Sequence, residues 1–236
     1  MTALIISLLF FAISFWVGYK KLFYLDQIRL INLLYTATSV LFIFIVMQLL
    51  YRSGILTQDI AGVFMTVTYS CIAGSFLGAA VKLYHQKRQS GDIRYVNQSF
   101  LTHILPNLIA LALILFGLQR TSLLTDLPVT PIRLSSGISI MMIGIWGFMI
   151  SLVPEFRKQS IVILDRKIPW DALVAYSWFS ERVIAIEYEH NGHIKEFKTL
   201  IPDEDHLSVE EFLNEKLIEK YQKLQEKETE EVSEGS

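Results

Sequence analysis

The sequence predicts a membrane-embedded bundle of five helices, followed by a small α+β domain with a cytoplasmic C-terminus. Of the 236 residues, 52% are hydrophobic and 19% are charged, whereas a typical soluble domain has about 25% charged residues. Residues 1–153 carry 10 Lys and Arg against 4 Asp and Glu, and residues 154–236 carry 11 against 19. A basic, apolar part and an acidic, polar part indicate separate domains. We therefore expect a transmembrane domain over 1–154, a cytoplasmic domain over 155–225 and a disordered acidic tail over 226–236.

Five stretches without Asp, Glu, Lys or Arg have the length of a transmembrane helix. A helix needs about 20 apolar residues to cross the hydrocarbon core of a bilayer, and it satisfies its own backbone hydrogen bonds in lipid. The fourth stretch is the most polar, because residues 100–107 include His103, Pro106 and Asn107. A re-entrant or interfacial segment is the alternative there. The spans predicted from these stretches are residues 2–19, 30–51, 60–82, 100–119 and 135–153.

The positions of Lys and Arg predict the orientation of the bundle. These residues are concentrated after the first, third and fifth spans, whereas the other two loops hold only Arg52 and then Arg120 and Arg133. Because cytoplasmic loops carry the excess of positive charge, we expect the N-terminus outside and the C-terminus in the cytoplasm. Lys20 and Lys21 follow the first apolar stretch rather than precede it, so that stretch is predicted to be a retained helix and not a secretory signal.

Glycines in the third and fifth spans are the candidate helix-packing residues. Gly74 and Gly78 form a small-xxx-small pair, which lets a second helix backbone approach closely. Gly137, Gly144 and Gly147 recur in the fifth span. Packing inside this bundle is one interpretation of both sets, and packing between subunits is the other.

His103 and Asn107 are the polar candidates at the membrane face. Residues four apart share a face of a helix, so the two side chains would together line a polar vestibule or bind a lipid head group. The alternative is structural, with Pro106 starting or kinking the helix and Asn107 satisfying the backbone group that the proline frees. The centre of each predicted span lacks charged residues, which argues against an ion-coupled transporter working as a monomer.

After the fifth span, apolar and polar residues alternate along short segments, as they do in an antiparallel sheet with one face exposed to solvent. Asn191 and Gly192 predict a type I′ turn between the last two strands. Ser208 and Glu211 have the spacing of a capping box at a helix start, and an apolar stripe at helical spacing follows them. Strands are predicted over 160–164, 172–179, 182–189 and 193–201, and the helix should cover one face of the sheet they form.

Ile168, Pro169 and Trp170 precede the strand at 173–178, and two paired strands and a closing helix follow it. This motif and this order of elements, over residues 160–225, resemble the small PH-like domains of uncharacterised bacterial membrane proteins. The family has more strands than the four predicted here. The resemblance implies a PH-like fold beside the membrane and a location in the bacterial plasma membrane, and it assigns no ligand or site residue.

Motifs that indicate catalysis or metal binding are missing from the sequence. It has no Gly-rich phosphate loop, no His-Glu-x-x-His, no Gly-x-Ser-x-Gly and no Cys-x-x-Cys. His190 and His193 flank the hairpin turn, but no third metal ligand accompanies them. The acidic balance of the second part argues against nucleic-acid binding. We therefore predict no catalytic residue, no metal and no cofactor.

The predicted function is that of a non-enzymatic membrane scaffold or accessory subunit. Its partners are the lipid bilayer and either another membrane protein or a second copy of the chain. An oligomeric channel or permease gated by the cytoplasmic domain is the main alternative. An enzyme that acts on lipid is a third hypothesis, for which His85, Asp92 and His103 are the only candidates near the third cytoplasmic loop.

Overall fold

The computed structural model describes residues 2–20 and 30–234, which divide into two compact units. The helical unit comprises Met1–His85 and Ile104–Ile150, and the sheet unit comprises Gln86–His103 and Ser151–Ser236. The chain therefore passes between the two units three times. Residue 1, residues 21–29 and residues 235–236 lie outside the described residues.

The regular secondary structure in the described part of the helical unit is helical. Three segments are long and apolar enough to cross a membrane, namely Gln58–Gln89, Phe100–Arg120 and Pro131–Met149. The third, fourth and fifth predicted spans agree with these segments, whereas five spans stay a prediction. The α-helices are α1 (Thr2–Lys20), α2 (Leu30–Arg52), α3 (Gln58–Gln89), α4 (Leu105–Arg120) and α5 (Pro131–Met149).

The ends of α4 and α5 follow from local chemistry. Proline lies in the first turn of both helices, where its missing N–H costs no hydrogen bond. The Thr130 side chain caps α5 by accepting from the Arg133 N–H at 3.3 Å. At the other end, α5 stops at Met149 and Ile150 is extended. The fifth apolar helix thus ends four residues before the predicted boundary at 153, because the chain pairs as a strand from Ser151.

The sheet unit confirms a separate antiparallel sheet domain, but its described residues form seven strands rather than four. The first four strands pair in the order β1-β2-β3-β4 and the last three in the order β5-β6-β7. The predicted strands correspond to β3, β5, β6 and β7. The seven are β1 (Ile93–Val96), β2 (Ser151–Arg157), β3 (Ser160–Leu164), β4 (Arg166–Pro169), β5 (Leu173–Ser180), β6 (Val183–His190) and β7 (His193–Leu200).

The predicted hairpin between β6 and β7 is confirmed. His190 pairs with His193, and Asn191 and Gly192 both have positive φ angles, of 54° and 74°, as a type I′ turn requires. On β6, the residues facing the core alternate with those on the outer face. Ile184, Ile186 and Tyr188 are buried, together with Leu173 on β5 and Leu213 on the C-terminal helix.

The C-terminal helix, α6 (His206–Glu234), differs from the prediction at both ends. It begins two residues before Ser208, because the short helical turn Asp203–Asp205 leads directly into it. The Ser208 hydroxyl donates to the Asp205 carbonyl at 3.0 Å, so the predicted capping box with Glu211 was wrong. The helix also continues to Glu234, where the sequence predicted disorder from 226. Glu, Lys and Gln are good helix formers, and a helix nucleated on the sheet propagates at little cost.

Candidate functional site

The segment Gln86–His103 is part of the sheet unit, although it lies in the chain between two apolar helices. Its strand β1 pairs with β2, with Val96 opposite Glu155. Just before β1, the carbonyls of Ser90 and Asp92 accept hydrogen bonds at 3.0 Å from backbone N–H groups of the β2–β3 turn. Gly91 makes this approach possible, since its φ of +76° suits glycine.

Glu155 on β2 is the centre of a buried polar network. Its Oε1 accepts from Lys87 Nζ at 2.8 Å and from Ser151 Oγ at 2.6 Å, and its Oε2 accepts from Arg157 Nε at 2.7 Å. The Glu155 side chain is 11% exposed. Burial alone would raise the pKa of Glu155, but hydrogen bonds from Lys87 and Ser151, together with the Lys87 charge and the Arg157 hydrogen bond, leave it lowered. The carboxylate is therefore charged at neutral pH.

Arg157 extends this network to the backbone. One of its terminal nitrogens donates to the carbonyls of Lys87 at 3.2 Å and Gly91 at 2.9 Å. Its own carbonyl accepts from the indole of Trp170 at 2.9 Å. Trp170 is buried, and its ring packs edge-on against Phe212 of α6 at 5.3 Å between centroids. The tryptophan of the Ile-Pro-Trp sequence thus links β2 to the core.

A second set of contacts connects the region around β1 with the end of β7 and the start of α6. The Tyr95 hydroxyl donates to Asp205 Oδ2 at 3.1 Å, and the Asn97 side chain donates to the Leu200 carbonyl at 3.0 Å. Burial, followed by the hydrogen bond and charge of Asp205, raises the pKa of Tyr95 well above its ordinary value. Tyr95 therefore stays protonated and donates throughout the physiological range.

These contacts describe a structural joint rather than a reactive centre. Both carboxylate oxygens of Glu155 are occupied by donors from the protein itself, so a substrate would have to displace them. Within residues 2–20 and 30–234, His, Cys, Asp and Glu form no group of three that could hold a metal ion. The chemistry that the network supplies is charge pairing that holds the two parts of the sheet unit together.

The three-stranded sheet has an outer face with exposed apolar side chains. Phe179 on β5 is 67% exposed, and Ile194 and Leu200 on β7 are 66% and 52% exposed. Lys198 lies on the same face, with its Nζ 3.5 Å from the centre of the Phe179 ring and 3.2 Å from Glu196. We call Phe179, Ile194, Glu196, Lys198 and Leu200 the exposed sheet face.

The structure places the four predicted packing glycines against helices of the same chain. A Cβ on Gly74 would lie 3.0 Å from the Phe15 nitrogen, and one on Gly78 would lie 2.8 Å from the Tyr19 nitrogen, both on α1. On α5, a Cβ on Gly144 would lie 2.8 Å from the Ala110 carbonyl oxygen of α4, and one on Gly147 would lie 3.4 Å from the Ala110 Cβ. In this chain these glycine surfaces face neighbouring helices of the bundle itself.

Sequence reasoning missed two glycines of the same kind, Gly18 and Gly117. Gly18 approaches the Ser75 backbone, whereas Gly117 on α4 and Gly137 on α5 face each other. A Cβ on Gly117 would lie 2.7 Å from the Gly137 carbonyl oxygen. The signal was the recurrence of small residues on facing apolar helices, including the seven-residue interval between Gly137 and Gly144.

The two polar candidates, His103 and Asn107, lie in different units. His103 belongs to the π-helical turn Phe100–Ile104, where it is exposed and its N–H donates to the Ser99 carbonyl at 3.0 Å. Asn107 lies in the first turn of α4 and is half-buried. Pro106 starts this helix, in line with the structural interpretation of the stretch.

Comparison with known proteins adds no identity to this description: the chain matches no protein-family model, no curated protein and no solved structure.

Proposed function

We propose that this protein is a five-span protein of the bacterial plasma membrane that works as a non-enzymatic accessory subunit or scaffold. Its C-terminus lies in the cytoplasm, where a PH-like domain binds another membrane protein. Alternation of positive charge between the loops supports the orientation. The first two spans are supported by α1 and α2, which are 19 and 23 residues long and mostly apolar.

Strand number and order support the PH-like assignment. That fold has a four-stranded and a three-stranded antiparallel sheet and ends in a helix, which is the order of elements in the sheet unit. Strands β1, β2 and β4 are those that the sequence pattern did not predict. The family resemblance required more strands than four, and these three supply them.

The exposed sheet face is the observation that carries the proposal. Its three large apolar side chains are each more than half exposed, and exposed apolar clusters on a polar domain mark interaction surfaces. Burying one such side chain against a partner contributes about 1.5–3 kcal/mol. In the polar network, in contrast, both carboxylate oxygens of Glu155 already bond to residues of the sheet unit itself.

Charge indicates the kind of partner. Residues 86–103 carry three Lys and Arg and one Asp, and residues 151–236 carry 11 and 19, so the sheet unit has 14 positive and 20 negative side chains, a balance of −6. An acidic unit is repelled by anionic lipid surfaces, whereas the cytoplasmic loops of membrane proteins are rich in Lys and Arg. The partner that fits is therefore a basic cytoplasmic segment of another membrane protein, with complementary charge steering the encounter.

The test compares the wild-type chain with a variant of the exposed sheet face. The tagged full-length protein is purified from its own membranes in mild detergent, and its mass and composition are measured by native mass spectrometry. We expect a stoichiometric membrane protein to accompany the wild type, and the Phe179→Ser/Leu200→Ser variant to lose about 90% or more of it, given the energies above. Leu207→Ser, at a 77% exposed position on α6, is the matched control and should retain the partner.

Three results would contradict this proposal. The wild type could be recovered as a monomer without a partner, or the sheet-face variant could retain the partner fully. A homo-oligomer that conducts ions or solutes in liposomes would instead establish the channel hypothesis. The glycine-rich faces of α3 and α5 first suggested a path between subunits, but α1 and α4 cover those glycines, so that support is reduced.

A further inference from the structure

Two arginines line an open cleft at the turn between α4 and α5. The cleft has a volume of about 240 Å³. Arg120 is the last residue of α4, and Arg133 lies in the first turn of α5. Both belong to the helical unit, and both are on the side of the bundle where the sequence predicts few positive charges.

The positive charge of this cleft is not neutralised by the acidic side chain nearest in sequence. Asp126 lies in the same turn, but the lining contains no Asp or Glu. Among the ion pairs of the described residues, none joins Asp126 to Arg120 or Arg133. The Arg133 guanidinium donates a hydrogen bond to the Pro128 carbonyl at 3.2 Å, which holds it at the turn. The cleft is therefore cationic.

The other lining residues add neutral donors and apolar walls. Gln119, Ser122 and Thr125 contribute an amide and two hydroxyls, and Phe116 and Leu127 contribute large apolar side chains that are exposed. The positive end of the α5 dipole, at Pro131, directly follows this turn. Guanidinium and hydroxyl donors beside apolar walls suit an anion with several acceptor oxygens and an attached apolar group.

We propose that this cleft binds a phosphate group, either in the head group of an anionic phospholipid or as free phosphate. Arginine binds phosphate through parallel hydrogen bonds that lysine cannot reproduce, and the tetrahedral oxygens can accept from two guanidinium groups and the hydroxyls together. The position favours the head group, because α4 and α5 both belong to segments able to cross a membrane and the cleft lies at their ends.

The experiment measures binding of three probes to the delipidated full-length protein in nonionic detergent. The probes are short-chain phosphatidylglycerol, short-chain phosphatidylcholine and inorganic phosphate, titrated by isothermal calorimetry. We expect the Arg120→Gln/Arg133→Gln variant to bind the anionic probes at least about tenfold more weakly, since a hydrogen bond to a charged group is worth roughly tenfold or more in affinity. Arg52→Gln, at the exposed C-terminal residue of α2, should bind as the wild type does.

The outcomes separate the two sources of phosphate. Preference for phosphatidylglycerol over both other probes assigns the site to a lipid head group, and equal binding of inorganic phosphate assigns it to free phosphate. If the wild type binds neither anionic probe, or if the double variant binds as tightly as the wild type, the proposal is overturned. Should the double variant fail to fold, Arg120→Lys retains the charge, and an unchanged affinity in that variant would overturn the proposal equally.

Discussion

Replacing Glu155 with glutamine should loosen the pairing of β1 with β2. The change leaves Lys87 and Arg157 without the carboxylate they share, and their side chains are only 17% and 12% exposed. Removing one partner of a buried ion pair costs about 3–5 kcal/mol. Because water still reaches both cations in part, we expect the lower end, about 3 kcal/mol, which is roughly a hundredfold in the equilibrium for opening the strands.

Hydrogen–deuterium exchange of the full-length protein measures this opening directly. Peptides covering 90–99 and 151–158 should exchange roughly a hundredfold faster in Glu155→Gln, whereas peptides from α5 should be unchanged. Glu196→Gln is the control, because its ion pair with Lys198 is more than 40% exposed on both sides and exposed pairs contribute at most about 1 kcal/mol. An increase below about threefold, or an equal increase in α5, would refute the reasoning that the network holds the two segments together.

Three further predictions follow from the same structure. The pKa of Glu155 is lowered from 4.5 in the folded protein. The ionised Glu155 side chain therefore stabilises the fold above pH 4.5, and this stabilisation is lost as the pH falls through the lower pKa of the folded protein. The acid-induced rise in hydrogen exchange of β1 and β2 should be smaller in Glu155→Gln, which has no carboxylate to protonate. Gly74→Ala should lower the thermal unfolding temperature in detergent, because a Cβ at this position would meet the α1 backbone. Gly62→Ala is the control: a Cβ there has only the Ile132 Cδ1 nearby, at 3.8 Å, so this variant should be neutral or stabilising. A fragment of residues 151–236 should give dispersed NMR spectra only when 86–103 is joined to it by a flexible linker, since the fragment alone lacks β1 and Lys87; a folded 151–236 would contradict the assignment of β1.

Local patterns predicted the parts of the sheet unit that pair locally. The β6–β7 hairpin follows from Asn191 and Gly192 between alternating segments, and both strands lie within one residue of the prediction. Strand β1 has four residues, next to an apolar stretch that was predicted to enter the membrane. Its partner β2 begins 58 residues later, at Ser151, and local periodicity carries no information about a pairing across that separation.

Proline and hydrophobicity obscured β2 in a different way. Leu152 and Val153 extend the apolar run of α5, and Pro154 is an unusual residue in a paired strand. The β2–β3 register is irregular between Ser151 and Glu155, and this irregularity accommodates the proline. The charges that define the joint were visible as Lys87, Glu155 and Arg157 at the ends of apolar stretches, but only the strand pairing brings them together.

The joint changes what a ligand of the sheet unit can do. A domain attached through one flexible linker binds its partner without consequence for the rest of the chain. The sheet unit, in contrast, has three connections to the helical unit: the chain enters it near the end of α3, leaves it before α4 and enters it again after α5. At the first of these connections α3 continues as helix to Gln89, past Lys87, and Lys87 is itself bonded to Glu155 of β2. A partner whose binding alters the β1–β2 pairing therefore also shifts the equilibrium between the bonded and released states of the end of α3. By linkage, the state of that helix end alters the affinity for the partner by the same factor. The exchange rates of Glu155→Gln measure how strongly the β1–β2 pairing and the end of α3 are coupled.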